Sequence, residues 1–233
     1  MNAKQLIFVT LPFMAACTTV KSSSIVTDSI FPEFSAVYDG ETITVQAQLH
    51  VESANSGTFI QLDEGDRLEA QYGENVQELS ASFGAMGIYS AQFDADIQHG
   101  EVQFRFLKNQ QLLDGSIINL PENFDMMGPS QSASLSRDDM LDIRWAAGES
   151  DDEMHISIEG LCIDSHRDTV EIARGEYPLP VYALQQSAFS DAQESCEITV
   201  TLERRRLGVL DTSFDDGIIF GAQRRSATVT ITQ

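Results

Sequence analysis

The chain has 233 residues, with 36 acidic against 14 basic side chains and a formal charge of −22. That balance excludes a nucleic-acid binder, because phosphate recognition needs a basic surface. The acidic excess runs through both halves, 17 against 4 over residues 18–125 and 19 against 9 over residues 126–233, so it favours solubility without marking either end as a charged tail.

In chain order, Lys4 precedes the apolar run LIFVTLPFMAA, residues 6–16. This run has the length of a signal-peptide core and falls short of the roughly 20 residues that a membrane-spanning helix needs. It ends in MAAC, residues 14–17. The ending resembles the lipobox of bacterial lipoproteins, with Met14 standing where leucine is commoner. The resemblance implies that residues 1–16 are a lipoprotein signal peptide and that Cys17 is the acylated first residue of the mature chain. It further implies an exported protein held to a membrane through a lipid anchor on Cys17. Thr18 stands where many enteric-type lipoproteins carry the aspartate of inner-membrane retention, so the outer membrane is the expected destination. An ordinary secretory signal cut at the same small residues is the alternative reading. The next stretch, TTVKSSSIVTDS, shows no sustained periodicity, and residues 17–33 are expected to be the lipidated cysteine and a flexible tether.

From Phe34 the period changes to two. Ile43, Val45, Ala47, Leu49 and Val51 alternate with Thr44, Gln46, Gln48 and His50, which predicts a half-buried strand with His50 on its wet face. Further strand patterns follow in GTFIQL, DRLEAQY, VQELSAS, IYSAQFDAD, EVQFRFL and SIINLPENF, separated by the turn segments DEGD, GEN and QHG. Short strands at this spacing, with no amphipathic helix, predict an immunoglobulin-like antiparallel β-sandwich over residues 34–122. The Met-Met-Gly-Pro segment then marks a break. MLDIRW puts Leu141, Ile143 and Trp145 on one face, and EMHISIEGLCI, DTVEIARGEYPLP, SCEITVTLERRRLG and a final strand SATVTITQ complete a second sandwich over residues 123–233. The predicted fold class is all-β, two tandem sandwiches of the immunoglobulin or fibronectin III type. With Cys17 assigned to lipid, Cys162 and Cys196 remain as an expected disulfide; without CxxC or paired His, zinc is a poor alternative.

The closing stretch LGVLDTSFDDGIIFGAQRRSATVTI resembles a terminal hairpin in uncharacterised lipoproteins of Gram-negative bacteria, through Gly208, Asp211, Phe214, Gly217, Gln223 and Arg225. The resemblance implies a fold and carries no activity.

Three constellations could hold chemistry. CIDSHRD contains Asp164, Ser165, His166 and Asp168, the residue types of a hydrolase triad, but triads assemble through folding and no GxSxG elbow is present. His155 and His99 belong to no HxH or HExxH spacing. The loop carboxylates Asp63, Asp66, Asp151, Asp152, Asp215 and Asp216 are candidate calcium ligands, with solvated acidic turns as the alternative; no other cofactor is expected. Finally, Arg204, Arg206, Arg224 and Arg225 are expected to meet across one hairpin, where they would offer an anion patch to a glycan or lipid headgroup or pair with neighbouring carboxylates. The functional expectation is a binding, adhesion or scaffolding module with a protein or glycan partner. An envelope hydrolase with an interdomain site and a periplasmic assembly factor stand as alternatives.

Overall fold

A computed structural model describes residues 18–81, 87–94, 100–148, 151–185 and 195–232. The first half of the chain supplies β1 (Thr18–Lys21), β2 (Ile30–Tyr38), β3 (Thr42–Val51), β4 (Thr58–Gln61), β5 (Arg67–Tyr72), β6 (Asn75–Glu78), β7 (Ser80–Ala81), β8 (Ile88–Asp94), β9 (Glu101–Lys108) and β10 (Gln111–Asn119). The second supplies β11 (Met126–Gly128), β12 (Ala133–Ser136), β13 (Met140–Trp145), β14 (Glu153–Gly160), β15 (His166–Glu171), β16 (Glu176–Pro180), β17 (Ser195–Leu207) and β18 (Ile218–Thr232). Among the described residues the only helical pieces are four single 3-10 turns, so the fold is all-β as the sequence predicts.

Alternation along the strands builds two cores. The first gathers Ile43, Val45, Ala47 and Leu49 of β3 against Val102, Phe104 and Phe106 of β9, with Phe34 stacked on Phe104 at 4.6 Å between ring centroids. The second gathers Leu141, Ile143 and Trp145 of β13 against Met154, Ile156 and Ile158 of β14 and Ile198, Val200 and Leu202 of β17. Trp145 is buried, and its indole N–H donates to the carbonyl of Ile172 at 2.8 Å, which satisfies the ring's polar atom inside the core. Each fully buried side chain of this size stabilises the fold by about 1.5–3 kcal/mol.

The sheets do not divide as the cores do. One eleven-stranded sheet runs β1-β4-β3-β2-β18-β17-β14-β15, with β8 also on β3, β7 on β8 and β12 on β18. The sheets β10-β9-β5-β6 and β11-β13-β16 complete the first and second sandwiches respectively. The link is the hairpin of β17 and β18, paired from Ser195 opposite Thr232 to Leu207 opposite Phe220. Residues 218–223 of β18 lie parallel to residues 33–38 of β2, while residues 229–232 lie parallel to β12. One strand therefore serves as an inner strand of both sandwiches. Phe214 and Ile219 enter the first core, which makes that packing unit larger than residues 34–122.

Four expectations need correction. The tether does not hang free over residues 18–29: β1 pairs parallel with β4, and buried Ser22 donates its hydroxyl to Asp66 at 2.7 Å while accepting the N–H of Asp63 at 2.9 Å. Hydroxyl-rich residues without hydrophobic period found acceptors in the acidic DEGD turn, a pairing that periodicity cannot register. His50 does lie opposite the apolar residues of β3, yet it is only 4% exposed, because Phe59 of β4 covers it with its ring centroid 5.0 Å away. VQELSAS is two strands, β6 and β7, in different sheets; Leu79 turns into the core between them. The last strand begins eight residues before SATVTITQ, at Ile218.

Candidate functional site

The arginines of the terminal hairpin organise around two carboxylates. Asp152, one of the calcium candidates, accepts from Arg204 Nε at 2.7 Å and from Arg206 Nε at 2.7 Å and NH2 at 3.0 Å. Burial pushes the Asp152 pKa upward, but the bonds from Arg206 and Arg204 outweigh it and hold the group below its ordinary value. Glu203 accepts from Arg205 and from Arg224 Nε at 2.9 and 2.7 Å, and its burial is likewise outweighed by Arg205 and Arg224. The pairing alternative thus accounts for Arg204, Arg206 and Arg224.

The same hairpin clamps the segment between the sandwiches. Arg204 donates to the Glu122 carbonyl at 3.1 Å, Gln223 to the Pro121 carbonyl at 3.1 Å, and Arg225 to the Asn123 side chain. The Arg225 guanidinium also lies 5.9 Å from the Tyr38 ring and 5.7 Å from the Phe124 ring. These bonds explain the closing-stretch pattern physically. Asp211 accepts the N–H of Gly115 at 2.8 Å, and Phe214 fills the first core. A Cβ on Gly208 or Gly217 would sit 2.5 Å from the Ile117 carbonyl or 2.7 Å from the Pro32 carbonyl, so backbone must lie directly on backbone there. Gly208, Asp211, Phe214 and Gly217 seat the hairpin on the first sandwich, and Gln223 and Arg225 clamp the segment between the two.

Outward from the joint lies the solvent face of β15, β14 and β17. Register puts Thr169, His155, Glu203 and Arg224 in one row across four strands. An open groove of about 670 Å³ there is lined by His155, Ser157, Arg167, Asp168, Glu203 and Arg205. His155 meets Thr169 Oγ1 at 3.1 Å and Glu153 at 3.2 Å. Burial, aided by Arg205 and opposed by Glu153 and Glu203, lowers its pKa and keeps the imidazole neutral at neutral pH. At the groove's end Arg205 lies 4.6 Å over the ring of Phe220, which pairs with Leu207. Leu207, Val209 and Ile218 are 82%, 65% and 42% exposed. Alternation and register place Leu207 on the face shared by Phe220 and Ile218, while Val209, beyond the end of β17, bridges to Ile117 of β10. On this face Arg205 and Arg224 present a third or more of their side chains to solvent while Glu203 between them is nearly covered, and Glu33 stands opposite Ile218; Arg204 and Arg206, at the alternate positions of β17, lie on its other face with Asp152.

The other sequence candidates do not converge here. Asp63 holds Lys21 at 3.1 Å, and Asp66 accepts from Ser22 and from the Asn109 N–H. Asp216 accepts the Gly217 N–H at 2.8 Å, while Asp151 and Asp215 are exposed. Among the described residues no three His, Cys, Asp or Glu side chains gather as metal ligands. In CIDSHRD the His166 ring bonds the Tyr177 hydroxyl at 3.0 Å rather than Ser165. Burial and the neighbouring Asp168 carboxylate push the Tyr177 pKa up to about 12, so this phenol is a fixed donor that ties β15 to β16. Cys162 and Cys196 form the expected disulfide, two residues beyond the Gly160–Ile198 pair that ends the β14–β17 ladder. Cys17 and His99 lie outside the described residues. Sequence reasoning missed Leu207, Val209, Ile218 and Phe220, because it starts the last strand only at Ser226 and takes the closing stretch as a hairpin resemblance alone.

No family model matches the chain, and no curated protein matches it. Solved structures that it resembles include fibronectin(III)-like modules of Clostridium thermocellum CbhA, at 15% identity over 87% of this chain and 90% of that one, with a TM-score of 0.23. The FN1–FN3 domains of chicken CNTN1 follow at 13% identity over 87% of this chain and 65% of that one, with a TM-score of 0.25. The IG1+IG2 structure of DIP-gamma gives 8% identity over 87% and 98%, with a TM-score of 0.24. The fold class rests on the strand pairing and the two cores themselves.

Proposed function

We propose that the protein is an exported, lipid-anchored envelope module that binds a protein partner through the outer face of its terminal hairpin. The observation that carries this reading is an apolar centre of Leu207, Ile218 and Phe220 beside the Arg205 and Arg224 guanidinium groups, on a chain otherwise strongly acidic. Clustered exposed apolar side chains rimmed by arginine are the composition of contact surfaces, and arginine and aromatic residues dominate binding energy there. The clamped joint supports the reading, since it holds that face on a fixed frame. By charge, the fitting partner surface has an aliphatic centre and a carboxylate rim. Export is supported by the disulfide, a bond that persists in oxidising compartments. The lipid anchor rests on the MAAC resemblance, and the outer membrane on Thr18.

Two experiments test the proposal. Cys17→Ser should move the protein from the detergent phase to the aqueous phase; retention in the detergent phase refutes the anchor. A photo-crosslinking residue at position 207 in intact cells should give a discrete adduct that the same residue at exposed Val76, on β6, does not. Identical patterns from the two positions, or none from 207, refute the contact face.

A further inference from the structure

The N-terminal arm meets the rest of the sheet at a narrow seam. β4 pairs with β3 through one residue pair, His50 opposite Phe59, and β1 pairs with β4 alone. At that seam sits the His50 imidazole, 4% exposed, with neither ring nitrogen hydrogen-bonded. Glu33 of β2 is the charged group that acts on the ring, 3.6 Å from Nε2 and outside hydrogen-bond reach. β4 presents the uncharged Phe59 ring, backed so closely by Gly87 that a Cβ there would lie 2.8 Å from that of Phe59. A buried imidazole without a partner is tolerated neutral and penalised charged.

We propose that His50 is a proton-operated catch on the N-terminal arm: neutral, it lets β4 close on β3, and protonated, it loosens that seam and with it the β1 strand that β4 carries. Burial lowers the His50 pKa below the ordinary 6.5, with Glu33 pulling the other way. A folded pKa below the unfolded one leaves the seam at full stability above the unfolded value and weakens it as pH falls through the folded value. Asp63, which grips Lys21 and Ser23, is lowered by those same bonds and stays ionised throughout that window, so the histidine is the group that works there.

Hydrogen exchange of the full mature chain tests this without any membrane. After correction for intrinsic rates, protection of residues 18–29 and 58–61 should fall severalfold, with about tenfold as the ceiling for one histidine, between pH 7.5 and 5.5 while β9 is unchanged, and H50F should hold the arm protected at both. In case H50F folds poorly, an NMR titration of the unaltered protein should show the His50 ring titrating below 6.5, with the arm amides following the same midpoint. Equal arm protection at both pH values, the same fall in H50F, or arm amides that follow another midpoint would each overturn the catch.

Discussion

The two sandwiches reach closure by different means. The first is closed by a strand from far away in the chain, β18 beside β2, with Phe214 and Ile219 in the core. The second is closed locally, by β14 against β17, and is stapled by Cys162–Cys196 across a sequence separation of 34. Its core carries the chain's single tryptophan, whereas the first core stacks Phe34, Phe104, Phe106 and Phe214. The difference teaches that a domain's covalent neighbourhood and its packing neighbourhood need not coincide. In this molecule they separate in the first sandwich and agree in the second.

The largest effect should come from cutting that comparison apart. A fragment of residues 18–122 lacks β18 and two core residues, so it should give no cooperative thermal transition by far-UV circular dichroism. A sharp melt from this fragment would show that the first sandwich is self-sufficient and dissolve the contrast.

Next is the carboxylate at the joint. Asp152→Asn leaves Arg204, 4% exposed, facing a neutral amide, and should destabilise the protein by about 3–5 kcal/mol in urea denaturation. Because the folded Asp152 pKa lies below the ordinary 3.8, its contribution is complete above that value and is lost as pH falls through the lowered one. The variant should therefore lose stability at pH 7 and show a shallower fall below pH 3.8. An unchanged midpoint at pH 7 would remove the joint from the account.

The disulfide sharpens the comparison from the other side. Replacing both cysteines by serine should cost roughly 3–4 kcal/mol and lower Tm by roughly 6–16 °C, read by fluorescence of Trp145, which sits in the second core alone. Hydrogen exchange should rise in β14 and β17 while β5 and β9 keep their protection. An equal rise in both sandwiches would mean that the shared hairpin transmits the loss. The smallest effect is expected at the Arg167–Glu159 pair, whose side chains are 72% and 57% exposed: Arg167→Ala should change stability by less than about 1 kcal/mol at moderate salt.

Much of this was legible in the chain. Period-two alternation in β3, β9, β13, β14 and β17 reports which side chains face inward, because successive side chains on a pleat point to opposite faces. The two remaining cysteines named the disulfide because both fall in strand-like segments of one domain. His50 shows where alternation stops: the pattern assigns a face, but whether that face is wet depends on what folds over it, and Phe59 lies nine residues on in a strand of weak period. The candidate surface was half legible. Arginines in ERRR and QRR could be expected to meet across a hairpin, whereas Asp152, about fifty residues earlier, could not be named as their partner rather than as a calcium ligand.

By itself, then, the sequence determined the secondary structure class, the inward faces of the longest strands, the cysteine pairing and the acidic character of the surface. These are local properties, set by side-chain period, turn residues and composition. The tertiary structure alone decided that β18 completes both sandwiches, that residues 18–29 form an arm and not a loose tether, and that the arginines clamp the joint while Leu207 and Val209 stay outside. Those outcomes depend on which strand edges remained open and which buried carboxylates needed a charge partner. Both are settled only when segments a hundred or more residues apart come together, as Gln223 and Pro121 do.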